Sequence, residues 1–368
     1  MTAPRPYTLV AELTYRCPLR CPYCSNPINL RLQEAELSTE QWQRAFSEAA
    51  ELGVVQVHLS GGEPMVRKDL PALIRHARQC DLYTNLITGG TLLTEENLRQ
   101  FRECGLDHIQ LSIQDTDRET AELIAGVRSY DKKLEVARLI KKLGFPLTLN
   151  VVIHRYNIEH IPELIALGVE LGAQRLELAN SQYYAWALEN RSALLPTQAQ
   201  RDKAAGVARE ARERYRGVME IVFVQVDYLT KEPKPCMGGW ARTYMCITPT
   251  GEVLPCHAAL SIPNLRFDNV KQQSLATIWR ASPALNAFRG DAWMQEPCRS
   301  CPKKEVDFAG CRCQAFLLTG DAAATDPVCH LSPHHDIVVD AVAAAEQGPA
   351  APFVYRDQKN SERLLARL

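Results

Sequence analysis

The sequence predicts an α/β fold, a curved partial (β/α)6 barrel followed by a smaller cysteine-rich region. From residue 7 to about 180, strand-like runs alternate with amphipathic helices, which implies right-handed βαβ units and a parallel sheet. Six such units are too few to close an eight-stranded barrel. The cysteines add a second division: of 13, three lie at 17–24, Cys80 and Cys104 follow, and the rest crowd positions 236–329. Clusters at such short spacings favour metal over disulfides.

Each element has its own signal. Tyr7–Leu13 reads as the first strand and runs into the first cysteine group. Ser38 and Gln41 form a capping box for a helix with Trp42, Phe46, Ala49 and Leu52 on one face, and Gly53 ends it. Val54–Leu59 is the second strand, closed by Gly61-Gly62. Helices over Leu70–Cys80, Thr94–Cys104 and Lys132–Leu143 lead to strands over Asp81–Ile87, His108–Ile113 and Leu147–Ile153. Pro162 suits a first helical turn, Gly172 stops that helix, and Arg175–Ala179 is the sixth strand. Cys80 and Cys104 continue apolar helical faces and read as core packing.

Beyond Ala179 the rhythm breaks. Tyr183, Tyr184 and Trp186 form an aromatic patch suited to a binding pocket or to packing between domains, Gln198–Arg216 is a charged helix, and Val218–Val226 is one more strand. From Cys236 proline, glycine and cysteine dominate, as expected of a region held together by metal. The expected domains are therefore 1–217, a barrel; 218–235, a bridging strand and linker; 236–336, the cysteine-rich domain; and 337–368, an Ala-rich and polar tail without evident chemistry.

Net charge of −1 and a pI near 6.8 give no broad attraction to nucleic acid or an anionic membrane. No window approaches the ~20 apolar residues of a membrane span, and the N-terminus lacks a signal-peptide core. A cytoplasmic protein is expected.

The chemistry starts at Cys17-Pro18-Leu19-Arg20-Cys21-Pro22-Tyr23-Cys24. Three thiolates in C-x3-C-x2-C spacing can hold three corners of a four-iron, four-sulfur cube and leave one iron open, though zinc also accepts thiolates. Ser60-Gly61-Gly62-Glu63-Pro64 follows strand two, where glycines let backbone approach a ligand. Ser112, Gln114 and Asn150 put polar groups at strands four and five, and Glu177 and Asn180 mark strand six.

With these motifs on successive strand ends, the chain resembles the radical S-adenosylmethionine (radical SAM) family. The resemblance implies a partial-barrel core and a [4Fe-4S] cluster on Cys17, Cys21 and Cys24 whose open iron chelates SAM. It also implies SAM contacts from Gly61, Gly62, Glu63 and Pro64, and from Ser112, Gln114 and Asn150. The later cysteines resemble the SPASM extension of peptide-modifying members, which holds two auxiliary Fe-S clusters. By that pattern Cys298, Cys301, Asp307 and Cys329 form the outer site, with Asp307 standing where cysteine is usual. Cys236, Cys256 and Cys311 form the inner site, completed by Cys313 or Cys246, with Cys313 preferred.

Four features narrow the resemblance: the run Glu177 to Arg191, Cys236-Met237-Gly238-Gly239-Trp240, Leu254-Pro255-Cys256-His257-Ala258-Ala259, and Asp307. They resemble the PqqE family of pyrroloquinoline quinone (PQQ) biosynthesis. That likeness implies a PqqA precursor peptide as substrate, a PqqD peptide carrier, a low-potential electron donor such as flavodoxin, and a carbon–carbon bond between a glutamate γ-carbon and a tyrosine ring. No catalytic residue is assigned beyond the cluster, and His257, His330, His334 and His335 read as ordinary surface or neighbouring histidines. The rivals are another SPASM maturase, thioether-forming or sulfatase-activating, and a non-catalytic binding protein stapled by zinc.

Overall fold

The computed structural model describes residues 3–347 and 352–367; the expectations for residues 1–2, 348–351 and 368 lie outside these. Among the described residues nine strands make one sheet: β1 (Thr8–Glu12), β2 (Gln56–Ser60), β3 (Tyr83–Thr88), β4 (His108–Ser112), β5 (Leu147–Ile153), β6 (Arg175–Asn180), β7 (Glu220–Phe223), β8 (Tyr244–Ile247) and β9 (Val253–Leu254). Their order is β7-β6-β5-β4-β3-β2-β1-β8-β9, parallel throughout except for the β8–β9 pair.

The connecting helices are α1 (Thr39–Leu52), α2 (Leu70–Gln79), α3 (Glu95–Cys104), α4 (Arg118–Ala125), α5 (Tyr130–Lys142), α6 (Ile161–Glu170), α7 (Ala185–Glu189), α8 (Arg191–Leu194) and α9 (Gln198–Arg214). After the sheet come α10 (Leu275–Ala281), α11 (Pro283–Asn286), α12 (Lys304–Asp307), α13 (Arg312–Thr319), α14 (Asp336–Gln347) and α15 (Gln358–Leu365). Among the described residues no helix is long and apolar enough to cross a membrane.

Local chemistry accounts for several boundaries. Ser38 and Gln41 close the expected capping box at α1, and Gly53 ends the helix at φ +96°. Trp42, Phe46 and Ala49 are fully buried against the sheet, the apolar stripe that fixes how the helix docks. Asp81 takes a left-handed φ of +56°, so β3 begins at Tyr83, two residues later than the sequence suggests.

Three departures are informative. Glu220–Phe223, expected as a bridge between domains, pairs in register with β6 and extends the sheet to a seventh parallel strand. Tyr244–Ile247, unrecognised within the cysteine-rich segment, pairs with β1 on the other side, Val10 facing Cys246. The region after Cys236 also has a conventional core: Met245, Ile247, Leu254, Leu275, Ile278, Trp279 and Leu285 belong to the same buried cluster as the barrel. Apolar burial at roughly 25 cal/mol per Å2 therefore helps hold this region, in addition to any metal.

Candidate functional site

The C-terminal ends of β1, β2, β4 and β6 open onto one cleft, as parallel α/β folds dictate. It is lined by Cys17, Cys21 and Cys24, by Ser60, Gly61 and Gly62, by Ser112 and Gln114, by Asn180 and Tyr184, and by Arg356. Most of the residues expected at the first site thus meet in space.

The glycine turn holds the cysteine loop by its backbone. Leu13 N donates to Ser60 O at 2.9 Å, Gly62 N to Thr14 O at 2.6 Å and Glu63 N to Arg16 O at 2.8 Å. A Cβ on Gly62 would stand 2.4 Å from Arg16 O, and Gly61 combines φ +121° with a Cβ position 2.4 Å from Thr14 O. Gly62→Ala must therefore push Arg16, and Cys17 with it, away from the turn. It should cost about 1–3 kcal/mol and lower the iron retained per chain; a denaturant melt and iron assay on the same sample check both.

Glu63, Pro64 and Asn150 do not line the cleft. The buried Glu63 carboxylate accepts from Thr88 Oγ1 (2.8 Å), Gly89 N (2.8 Å) and Met65 N (3.2 Å), tying β2 to β3. Asn150 lies in register between Ser112 and Glu177 and donates to Glu177 Oε2 at 3.1 Å. Of the aromatic patch only Tyr184 reaches the cleft; Trp186 is fully buried and Tyr183 meets Tyr228 edge-on. Those two are packing residues, as their bulk and apolar surroundings require.

Two cations that sequence patterns did not reveal serve the cleft. Lys133, on α5 and 2% exposed, sends Nζ to Gln114 Oε1 (2.5 Å) and Ser112 O (3.0 Å); burial lowers its pKa to about 8, with Cys21, Glu63 and Cys17 opposing. Arg356, 4% exposed, arrives from the segment before α15. Burial pushes Cys17 up to about 12, and raises Cys21 and Cys24, while Arg356 and Lys133 pull the other way. Free thiols here hold their protons, and a metal has to displace them.

The cleft also carries polar atoms with nothing to bond. Both amide atoms of Asn180, Asn26 Oδ1 and Arg356 Nε are buried without a partner, a costly condition unless a ligand satisfies them. A polar molecule beside three thiols, over glycine backbone, fits this donor and acceptor set.

The later cysteines separate into two groups. Cys298, Cys301, Asp307 and Cys329 line one small cleft. Asp307 Oδ1 accepts from Ala309 N at 2.9 Å, and Phe308, Ala309 and Gly310 all have positive φ, a tight turn that sends Asp307 and Cys311 to different groups. In the second group the Cys313 thiol lies against those of Cys256 and Cys311, and Cys236 lies within electrostatic reach of Cys311 and Cys256. Among the described residues no three His, Cys, Asp or Glu side chains are arranged to hold a single metal ion.

Cys246 lies against Glu12 and also within electrostatic reach of Cys256. Glu12, 4% exposed, accepts from Tyr15 Oη at 3.0 Å, and burial raises its carboxyl from 4.5 to about 7, with Tyr15 and Cys246 opposing. A carboxyl raised in this way stabilises the fold fully below its unfolded value of 4.5, and that contribution is lost as pH rises through about 7. Glu12→Gln keeps a neutral group in place, so it should gain stability relative to wild type between about pH 5 and about pH 8, by up to about 3 kcal/mol. Guanidinium melts across that range test this; two parallel stability profiles would refute it.

Tyr184 Oη pairs with Nε2 of the half-buried His257, whose Nδ1 lies 3.5 Å from Tyr244 Oη. Burial lowers this imidazole to about 4. A neutral imidazole between two phenols can pass a proton, and this row runs from the cleft to the residue beside Cys256. His330 and His335 instead bond backbone carbonyls, of Lys231 and Pro327.

Residues 11–168 match the model of the radical SAM superfamily, and residues 236–302 that of SPASM, an iron–sulfur cluster-binding domain. Streptococcus suis SuiB bound to precursor peptide SuiA shares the fold at TM-score 0.74 and 20% identity, over 90% of this chain and 77% of that one. A second likeness, anSMEcpe with bound AdoMet, gives TM-score 0.64 at 16% identity over 93% and 97%. Sheet, cleft and both models define a radical SAM protein with a SPASM extension. The PqqA peptide cyclase of Methylocella silvestris is 54% identical over 358 residues, 96% of each chain. That of Granulibacter bethesdensis is 55% identical over 353 residues, 95% of this chain and 94% of the relative. The chain belongs to the PqqA peptide cyclase family.

Proposed function

We propose that the protein is the cyclase that joins a glutamate γ-carbon to a tyrosine ring of the precursor peptide PqqA in PQQ biosynthesis, in the cytoplasm, with PqqD as peptide carrier and a low-potential donor such as flavodoxin. The observation that carries it is the cleft: three thiols, a glycine turn and unpartnered buried polar atoms, in a chain more than half identical to PqqA peptide cyclases. Cys17, Cys21 and Cys24 would hold the [4Fe-4S] cluster. Gly61, Gly62, Ser112, Gln114 and Asn180 would contact SAM, with Glu63 and Lys133 bracing the strand ends that carry them. When bound, the cluster and SAM supply the hydrogen-abstracting radical.

Around that chemistry the chain orients and excludes. Tyr184 faces the cleft from beyond β6 and is the aromatic placed to bound the peptide. Cys236, Cys256, Cys311 and Cys313 would hold the inner auxiliary Fe-S cluster; Cys313 lies against both Cys256 and Cys311, whereas Cys246 neighbours Cys256 and is shared with Glu12. Cys298, Cys301, Asp307 and Cys329 would hold the outer one. The domain reading that follows is a barrel over 1–217 with 218–235 adding an edge strand, a cluster domain over 236–336, and a tail over 337–368, of which residues 352–367 return to the barrel.

Anaerobic incubation with PqqA, PqqD, SAM and reductant should yield a peptide lighter by two hydrogen atoms, with the new bond located by fragmentation. Release of deoxyadenosine with PqqA unchanged points instead to another peptide substrate. A colourless protein that carries zinc and little iron ends the enzyme reading.

A further inference from the structure

The cysteine loop is covered by a distant part of the chain, residues 352–367. Asn190 clamps both sides: its Oδ1 accepts from Val354 N at 2.7 Å, and its Nδ2 donates to Val354 O at 2.9 Å and Pro22 O at 3.0 Å. Arg356 N donates to Arg20 O at 3.1 Å. Further on, Ser361 Oγ donates to Ile28 O at 2.6 Å, and Leu364 packs with Leu30 and Trp186. The segment therefore grips the loop on both flanks of Cys21 and Cys24.

At the centre of this grip one guanidinium enters the cleft. Arg356 Nη2 donates to Tyr15 O, the guanidinium lies beside the Cys24 thiol and within electrostatic reach of Cys17 and Cys21, and Nε has no partner. An arginine stays charged at any working pH and is costly to bury unless something anionic faces it. Among the described residues no carboxylate lines the cleft, and the three thiols are the groups there that can become anionic on binding metal.

We propose that residues 352–367 are a strap over the cysteine loop, and that Arg356 is a positioning residue whose fixed charge makes the N-terminal cluster easier to reduce. This rests on the cluster proposed at Cys17, Cys21 and Cys24. A cube held by three thiolates is already anionic, and an electron from the reductant makes it more so. A cation held beside it in a low-dielectric pocket stabilises the reduced form more than the oxidised one.

The test uses the anaerobic holoenzyme as wild type, Arg356→Gln and Arg356→Lys. The paramagnetic signal of the reduced protein that SAM perturbs is titrated against potential. In the glutamine variant the equilibrium constant for one-electron reduction should fall about tenfold, about 59 mV more negative, while the lysine variant stays near wild type. Loss of the signal in the glutamine variant alone also supports the role of charge. An unmoved potential in Arg356→Gln, an equal shift or loss in Arg356→Lys, or weaker SAM binding without a shift overturns it. In the metal-free chain, amide exchange across residues 19–30 should quicken in Arg356→Gln, and unchanged exchange overturns the strap. A wild-type protein with no SAM-perturbed signal would strike the cluster reading itself.

Discussion

Cys21→Ala should give a folded protein that produces deoxyadenosine only at background level. The fold survives because the loop is tied without this side chain. Arg20 N donates to Ala125 O at 2.8 Å, Cys24 N to Cys21 O at 3.2 Å, and Asn190 and Arg356 anchor the flanks. The substitution removes a partly exposed thiol whose side-chain neighbour is the Tyr23 hydroxyl, so stability should shift by about 1 kcal/mol or less. The chemistry does not survive, since two thiols remain where a cube with one open iron needs three, and no fourth cysteine lines the cleft among the described residues. Iron content should fall by one cluster's share while the auxiliary clusters stay. Deoxyadenosine formation near the wild-type rate from this variant would sink the assignment of the loop.

Much of the fold was legible because its signals are local. The Ser38–Gln41 capping box, the Gly53 stop and the alternation in Leu147–Ile153 each lie within a few residues of what they specify. What escaped detection is set by partners far away in the chain. Tyr244–Ile247 is a short run between cysteines, and it becomes a strand because β1, over 230 residues earlier, offers an open edge. The helix Arg118–Ala125 is too short and too polar on its outer face to stand out as a periodic pattern. At the site, the cysteine and glycine motifs were readable since the chemistry fixes their spacing. Lys133 reads as one more charge on a helix, and Arg356 as part of a polar tail; only the packing of α5 and α15 turns each inward.

Arg312→Met should destabilise the protein by about 3–5 kcal/mol and empty the outer auxiliary site first. Arg312 is 1% exposed and sits between two proposed ligands, Cys311 and Cys313. Its Nη1 donates to Ala322 O (3.0 Å) and Ala324 O (2.8 Å), Nη2 to Ala309 O, and Nε to Gly310 O at 3.4 Å. It therefore joins the turn after Asp307 to the loop before Cys329, the two sides of the outer cleft, while its plane lies over Trp293 at 4.8 Å. It also faces the buried Asp326, whose Oδ2 accepts from Cys311 N at 2.7 Å. Methionine fills similar volume but leaves these carbonyls and the carboxylate without their cation, at 1–3 kcal/mol or so for each unmet group and less than additively. Lysine, which lacks the planar fork, should recover only part of the loss. Because the cysteine loop stands on the barrel, SAM cleavage in a single turnover should persist while peptide cyclisation fails. A variant that melts within about 1 kcal/mol of wild type with full iron would mean that the carbonyls find other donors, and that the outer site is built without this arginine.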